Sequence, residues 1–371
     1  MPAPFEGRRR RLAEEMERRG SWPSRSPWVR AAVDAVARDR YAPTRLWYWD
    51  GHAYLPVDRE RDPDRWADEV YGDPDAAAVA QLTGGRPSSS LSCQNIVVDM
   101  LDSLLLEPGH TVLELGTGSG WTAALLAHRV GARQVTSVEI DARLADTARF
   151  RLPPEMAVIT GDGDGGWAPG APYDRVIAAY AVDRVPWEWV AQTRPGGRIV
   201  TPWGRLGHLA LTVADDGRSA SGWVQGLAQF LPARGLDHGT GDYGEIRGHG
   251  PAEEERPWGR DLTPLRDDWH LRFALRVALP ELWIAVAEDA DGLNAWLHDG
   301  VASWAALSAV GDGTTVAYQG GPRRLADELE GAWETWREAG APELYDFGVT
   351  VREGEQFAWA CDPEKGPRFP V

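Results

Sequence analysis

The sequence predicts an α/β protein, a doubly wound and mostly parallel sheet of the Rossmann kind, preceded by an N-terminal helical segment and followed by a C-terminal α+β extension. Three observations carry this expectation. Apolar strand-like runs alternate with helical ones between residues 111 and 201, which implies a sheet with helices on both faces. Within that stretch an apolar strand, Val112-Leu113-Glu114-Leu115, runs straight into Gly116-Thr117-Gly118-Ser119-Gly120. At 371 residues the chain exceeds one average domain, leaving room for a second region of comparable size.

In chain order, residues 6–19 have helical composition and heavy charge, and 28–40 form an amphipathic helix ending before Tyr41-Ala42-Pro43. An aromatic and charged loop follows. Gly84-Gly85-Arg86-Pro87-Ser88-Ser89-Ser90 cannot be helical and is expected as a turn or exposed segment. Helix resumes over 94–106 and stops at Pro108-Gly109. Strands are expected at 111–115, 135–138, 157–159, 174–179 and 198–201, with helices at 121–129, 142–149 and 187–192. Arg194-Pro195-Gly196-Gly197-Arg198 reads as the turn into the last of these strands, and runs at 208–213 and 222–228 complete the sheet. Residues 233–264, rich in Gly, Pro and charge, read as a long loop or lid, with Glu253 to Glu255 as a solvated acidic run. Beyond it, 271–286 is strand-compatible, 291–297 has no clear assignment, Gly321-Pro322 opens a helix to Trp336 with Pro322 in its first turn, and 349–352 pairs with 356–361 as a hairpin. The expected organisation is 1–85 as an N-terminal helical, substrate-side segment, 86–232 as a cofactor-binding domain, and 233–371 as an extension for recognition.

Composition excludes several classes. The formal charge of -17 repels phosphate backbones and argues against a nucleic-acid partner. No apolar run spans a bilayer and no signal-peptide core is present, so a cytoplasmic protein without a membrane partner is expected. Cys93 and Cys361 lie far apart and read as structural thiols, and the histidines show no metal-ligand spacing. The chain carries 19 tryptophans, most of them expected in cores and interfaces, a minority along a peptide groove. Oligomeric state stays open.

The glycine run decides the ligand only with its surroundings. Its pattern is G-x-G-x-G rather than the G-x-G-x-x-G that seats a pyrophosphate. Glu114 stands before the loop, where a sulfonium would welcome a carboxylate and a diphosphate would not. The next strand ends in Val138-Glu139-Ile140-Asp141, giving Glu139 to the ribose hydroxyls with Ile140 beside it. Thr160-Gly161-Asp162-Gly163 closes the third strand and offers Asp162 to an adenine amino group; an ordinary Asp-Gly turn is the alternative. These features read as the S-adenosylmethionine half of a class I methyltransferase, with S-adenosylhomocysteine as product, held by Glu114, Gly116, Thr117, Gly118, Ser119, Gly120, Glu139, Ile140, Asp162 and Gly163.

For the acceptor, the segment after the fourth strand reads Ala178-Ala179-Tyr180-Ala181, without the Asn-Pro-Pro-aromatic run of amino-methylating enzymes. A carboxylate nucleophile is already ionised at neutral pH and needs no strong base, which suits a chain without an evident His-Asp or Lys constellation. Ser88, Ser89 and Ser90 could hold such a carboxylate; equally they could be an N-cap cluster for the helix beginning near Gln94.

Over residues 25–230 the chain resembles the protein-L-isoaspartate O-methyltransferases. The resemblance rests on Arg40-Tyr41-Ala42-Pro43, the serine segment, Glu114 to Gly120, Val138-Glu139, Gly161-Asp162-Gly163, Pro172-Tyr173-Asp174, and Arg194 to Arg198 with Pro202 and Gly204. It implies a peptide substrate and places the family's active-site serine on Ser90, with Ser88 and Ser89 beside the substrate; Ser92 and Cys93 stand where the family has proline and histidine. The long extension resembles the branch that accompanies lanthipeptide and graspetide biosynthesis. There the ester of an aspartate in a macrocyclised peptide closes to a succinimide. General isoaspartate repair, and a peptide-binding module with a vestigial fold, are the competing expectations.

Overall fold

The computed structural model describes residues 5–204, 206–234 and 241–371. The chain divides into two compact units: residues 1–203, 208–232 and 350–355 form the first, and 204–207, 233–349 and 356–371 the second. The segments expected as 1–85 and 86–232 therefore share one unit, and the second unit returns a short piece of chain to the first.

In the first unit, helices α1 (Glu6–Arg18) and α2 (Trp28–Ala35) lead to strands β1 (Arg45–Trp49) and β2 (Tyr54–Asp58), helix α3 (Pro63–Tyr71) and the hairpin β3 (Ala78–Thr83) and β4 (Arg86–Leu91). These four strands make a separate sheet in the order β2-β1-β3-β4. The aromatic stretch before Gly84 is thus no loop. Its Leu46-Trp47-Tyr48-Trp49 run suits a pleated surface, and α3 starts on an Asp62 cap with Pro63 in its first turn. Gly84 and Gly85, at φ 58° and 80°, form the hairpin turn, a conformation that requires positive φ at both positions. The serines beyond it belong to a strand, so the expected exposed segment reduces to the turn itself.

Helix α4 (Gln94–Ser103) feeds the main sheet: β5 (Val112–Leu115), α5 (Trp121–Val130), β6 (Val135–Glu139), α6 (Ala142–Arg151), β7 (Ala157–Thr160), β8 (Tyr173–Ala178), α7 (Trp187–Ala191), β9 (Thr193–Trp203), β10 (Gly207–Val213) and β11 (Ser219–Leu227). The order runs β11-β10-β9-β8-β5-β6-β7, with the β6–β5, β5–β8, β6–β7 and β8–β9 pairs parallel. Strand order reverses between β5 and β8, which is where ligands bind beyond the carboxyl ends in open α/β sheets. Residues 194–198, expected as a turn, interrupt the pairing inside β9: register jumps from Tyr173–Thr193 to Arg175–Arg198 around Gly196 at φ 72°. The core of this unit gathers Met16, Val33, Trp66, Leu101 and Trp121. Trp66 and Trp121 each donate their indole N–H to a backbone carbonyl, of Pro43 and Val36.

In the second unit, α8 (Tyr243–Arg247), β12 (Glu254–Trp258), α9 (Thr263–Asp267), α10 (Trp269–Ala278), β13 (Trp283–Asp289), β14 (Gly292–His298), β15 (Trp304–Ala309), β16 (Thr315–Gly320) and α11 (Leu325–Glu338) surround a sheet of order β12-β16-β15-β14-β13. The chain closes with β17 (Phe347–Arg352), β18 (Glu355–Ala360) and β19 (Arg368–Pro370). Of the expected lid, residues 235–240 lie outside the described residues. The remainder holds regular structure, and the acidic run is paired rather than merely solvated: Arg324 bridges Glu253 and Glu254 at 3.1 and 3.3 Å. The run 271–286 is not one strand. Asp268 caps a helix by accepting from the amides of His270 and Leu271, and a strand begins only at Trp283. Pro322 lies ahead of α11, whose N-cap is Arg324. Among the tryptophans, Trp258, Trp304, Trp333 and Trp359 are buried, whereas Trp269 and Trp283 are about half exposed. Among the described residues no helix is long and apolar enough to cross a membrane.

Candidate active site

The switch point gathers the sequence-singled glycines. Gly116, Gly118 and Gly120 have φ of 87°, 52° and 89°, and a Cβ on Gly116 would stand 2.9 Å from the ring of Tyr180. The loop is fastened to β6: the amide of Gly116 donates to Val138 O at 2.8 Å, and the amide of Gly118 donates to Glu139 Oε2 at 2.8 Å. Glu139 Oε1 accepts from the amide of Asp141 at 2.9 Å. Each carboxylate oxygen keeps a lone pair for a further donor. Ile140 is 45% exposed, an apolar side chain left at the carboxyl end of β6. Asp162 caps a short 3-10 turn, accepting from the amide of Asp164 with Oδ1 and leaving Oδ2 for a ligand.

Two expectations about this loop need correction. Glu114 does not present a charge. It is fully buried, its Oε1 has no hydrogen-bond partner among the described residues, and burial pushes its carboxyl up to about 8, so it is mostly protonated at neutral pH. Its other oxygen accepts from Ser137, whose hydroxyl also meets that of Thr117. The Thr117 side chain therefore belongs to this buried chain of polar groups, and only its backbone belongs to the loop. Ser119 is half-buried on the loop.

Strand β4 brings the serines to the loop and disposes of the helix-cap alternative, because the N-cap of α4 is Cys93 with no side-chain bond. Alternation along the strand turns Ser89 and Leu91 to its buried face and Ser88 and Ser90 to the other. Ser89 Oγ lies 4.0 Å from where a Cβ of Gly118 would be. Ser88 Oγ donates to Gln81 Oε1 at 3.0 Å, and Gln81 Nε2 donates to Asp141 Oδ2 at 3.1 Å, tying the hairpin to the residue after Ile140. Ser90 sits opposite Val79 and is half-buried.

Three residues that belong to none of the sequence motifs shape this site. Arg38 is 2% exposed; it donates to the carbonyls of Leu91 at 3.1 Å, of Ser92, and of Val70 at 3.1 Å, and its guanidinium lies 4.8 Å from the Trp121 ring centre. Burial lowers its pKa to about 10, so it stays charged. Tyr180 covers both Gly116 and Gly163, where a Cβ would come 2.4 Å from its hydroxyl. Gly163 O in turn accepts from Trp189 Nε1 at 2.8 Å. Gln81 is the third. A tyrosine directly after the fourth parallel strand was the one hint available in the sequence.

This doubly wound sheet, with its glycine loop and acid-ended second strand at the switch point, defines an S-adenosylmethionine-dependent methyltransferase. The model of the protein-L-isoaspartate(D-aspartate) O-methyltransferase family matches residues 10–228, and the chain belongs to that family. Protein-L-isoaspartate O-methyltransferase 1 of Rhodopseudomonas palustris is 34% identical over 221 residues, covering 57% of this chain and 77% of that protein. The protein-L-isoaspartate O-methyltransferase of Anaeromyxobacter dehalogenans strain 2CP-1 is 38% identical over 201 residues, covering 52% of this chain and 94% of that protein. A solved protein-L-isoaspartate O-methyltransferase superposes with a TM-score of 0.52 at 18% identity, covering 95% of this chain and all of that one. That likeness shows the fold alone.

Proposed function

We propose that this O-methyltransferase acts on an aspartyl or isoaspartyl side-chain carboxylate of a ribosomally made, macrocyclised peptide, and that the ester leads on to a succinimide or isoaspartate. The observation that carries the carboxylate assignment is the approach of the serine strand to the glycine loop, with Ser89 Oγ beside Gly118 and Ser90 at the family's serine position. Hydroxyls there hold a carboxylate by donating to it. A carboxylate needs no deprotonation, and the site offers no strong base: Glu114 is neutral and buried, and Tyr180 has its pKa raised by burial and by Asp164.

Glu139, Asp162, Ile140 and the loop amides would hold the cofactor, which supplies an electrophilic methyl group when bound. The chain's own contribution is positioning. Arg38 fixes the backbone of Leu91 and Ser92, and Gln81 links the serine hairpin to Asp141, so the serine strand is tied to the end of the strand that carries Glu139. The product is a methyl ester. Its carbonyl can be attacked by the amide nitrogen of the following residue, closing a five-membered imide as methanol leaves. The second unit, with half-exposed Trp269 and Trp283, is assigned to recognition of the peptide.

Ser92 and Cys93, in place of the family's proline and histidine, support a specialised substrate. General repair of isoaspartyl proteins is the second reading, supported by the names of the relatives. Mass spectrometry on a peptide panel separates the two. A specialised enzyme gives a transient gain of one methyl group and then a net loss of one water on few, constrained peptides. A repair enzyme methylates many unrelated isoaspartyl peptides and few aspartyl ones. A methyl mark stable to mild base on every substrate overturns carboxyl methylation.

A further inference from the structure

Tyr180 follows the end of β8 and sets its ring between the glycine loop and the turn after β7. A Cβ built on Gly116 would meet Cδ1 at 2.9 Å and Cε1 at 3.5 Å; one built on Gly163 would meet Cε1 at 3.3 Å and the hydroxyl closer still. The Cδ1–Cε1 edge thus runs from one turn to the other, an approach that only glycine allows at both. The buried Trp189 fixes the ring from a third side, T-shaped with 6.2 Å between ring centres, and its indole N–H donates to Gly163 O at 2.8 Å. The Tyr180 hydroxyl donates to Asp164 Oδ1 in a long, solvent-facing bond of 3.4 Å.

The phenol stands among the acids of the candidate site. Burial raises its pKa first, and Asp164, Asp162 and Glu139 raise it further, so the ring is neutral at physiological pH and all three carboxylates lie within electrostatic reach of it. Its neighbours are therefore residues assigned to both ends of the cofactor: Gly116 to the aminoacyl side, Glu139, Asp162 and Gly163 to the adenosine side. In S-adenosylmethionine the sulfonium joins those two halves. A packing wedge would need only the edge that meets the glycines and Trp189. Tyr180 is instead half-buried, and part of its ring stays open beside the acids.

We propose that Tyr180 recognises the charge of the cofactor, its ring facing the sulfonium so that the enzyme holds the methyl donor more tightly than the neutral, demethylated product. The inference rests on the reading of Gly116, Glu139, Asp162 and Gly163 as the cofactor seat and adds to it what tells donor from product. The negative face of an aromatic ring attracts a cation within about 6 Å of its centre, and S-adenosylhomocysteine carries no charge at sulfur. The hydrogen bonds assigned to ribose and adenine are common to both ligands. Discrimination therefore falls on the group beside the sulfur, and a product that has lost its charge also loses this contact.

The test is calorimetric titration of the full chain with S-adenosylmethionine and with S-adenosylhomocysteine, read as the ratio of the two affinities. Tyr180→Leu should lower that ratio roughly tenfold by weakening the donor more than the product. Tyr180→Phe should keep it, because the ring remains and only the bond to Asp164 is lost. A packing role shifts both affinities and the melting temperature together, and a ratio unchanged in Tyr180→Leu overturns the proposal. Should that variant fail to fold, Tyr180→Phe with its ring progressively fluorinated keeps the shape while withdrawing negative charge from the face. The ratio should then fall stepwise, and a ratio indifferent to fluorination overturns the proposal. A wild type that binds neither ligand refutes the cofactor seat and this inference with it; one that binds both, with a ratio that ignores the ring, refutes the role of Tyr180 alone.

Discussion

The amide of Gly118 donates to Glu139 Oε2 at 2.8 Å, so the acid assigned to the ribose is also the clasp that holds the middle of the glycine loop. One side chain thus serves the ligand and the shape of its seat. Glu139→Ala should weaken S-adenosylmethionine binding by about 2–3 kcal/mol, since it removes ribose contacts and frees the Gly118 amide together. Asp162→Ala, whose local duty is one turn bond to Asp164, should cost about 1 kcal/mol. Calorimetric titration compares them, and equal or absent losses would refute this division of roles.

Glu114 makes stability depend on pH. Its folded pKa, raised by burial to about 8 from 4.5, means that folded and unfolded chains are both protonated there below pH 4.5. Between 4.5 and about 8 the unfolded chain gives up the proton while the folded one keeps it, so this contribution to stability is lost as pH rises and stops changing above that range. Glu114→Gln removes the titration. Melting curves should show the wild type falling relative to the variant between those limits, and parallel curves would mean that Glu114 is ionised in the fold.

The glycine loop and its acids were legible because their backbone conformation restricts residue choice: three positive-φ positions in five residues admit little but glycine. The alternating core was legible for the same local reason. Other features depended on tertiary partners. The strands β1 and β2 are short, are joined by a connection holding Gly51, carry Pro56 inside β2, and gain their sense from one another. In Leu271 to Val277 the helical signals were Asp268 as cap and buried Leu271, Ala274 and Leu275, masked by a run with few polar breaks. Three adjacent serines carry no mark of which one faces the loop; only the pairing of β4 assigns Ser89. Nothing local distinguishes Arg38 from the chain's many exposed arginines.

That arginine is the most consequential of the hidden positions. With three carbonyls depending on it, two of them buried, Arg38→Ala should destabilise the fold by about 2–4 kcal/mol. Arg38→Lys keeps the charge but cannot reach three acceptors with a fork, so it should recover only part of the loss. Chemical denaturation measures both, and a midpoint unchanged in Arg38→Ala would deny the guanidinium its anchoring role.

The two faces of β4 predict different outcomes for neighbouring serines. Ser90→Ala should lower methylation per folded molecule with cofactor affinity nearly intact. Ser89→Ala, whose hydroxyl approaches Gly118, should alter cofactor affinity as well. Parallel turnover and calorimetry on both variants decide it; identical profiles would mean that the strand acts as a single hydroxyl surface.

The return of residues 350–355 to the first unit governs what can be cut away. Strand β17 neighbours β11, and Ser221 Oγ and Thr350 Oγ1 are 2.9 Å apart within that unit. Ending the chain at Arg234 would therefore strip β11 of a neighbour and leave an unpaired edge open to other chains. Such a truncation should melt at lower temperature and aggregate, as read by light scattering, even though every cofactor residue is retained. Rejoining Thr350–Glu355 to Arg234 through a flexible Gly/Ser linker should restore solubility and S-adenosylmethionine binding. Peptide selectivity measured on that rejoined protein then isolates the second unit: loss of discrimination with retained turnover assigns recognition to it, and unchanged discrimination leaves it a purely structural part.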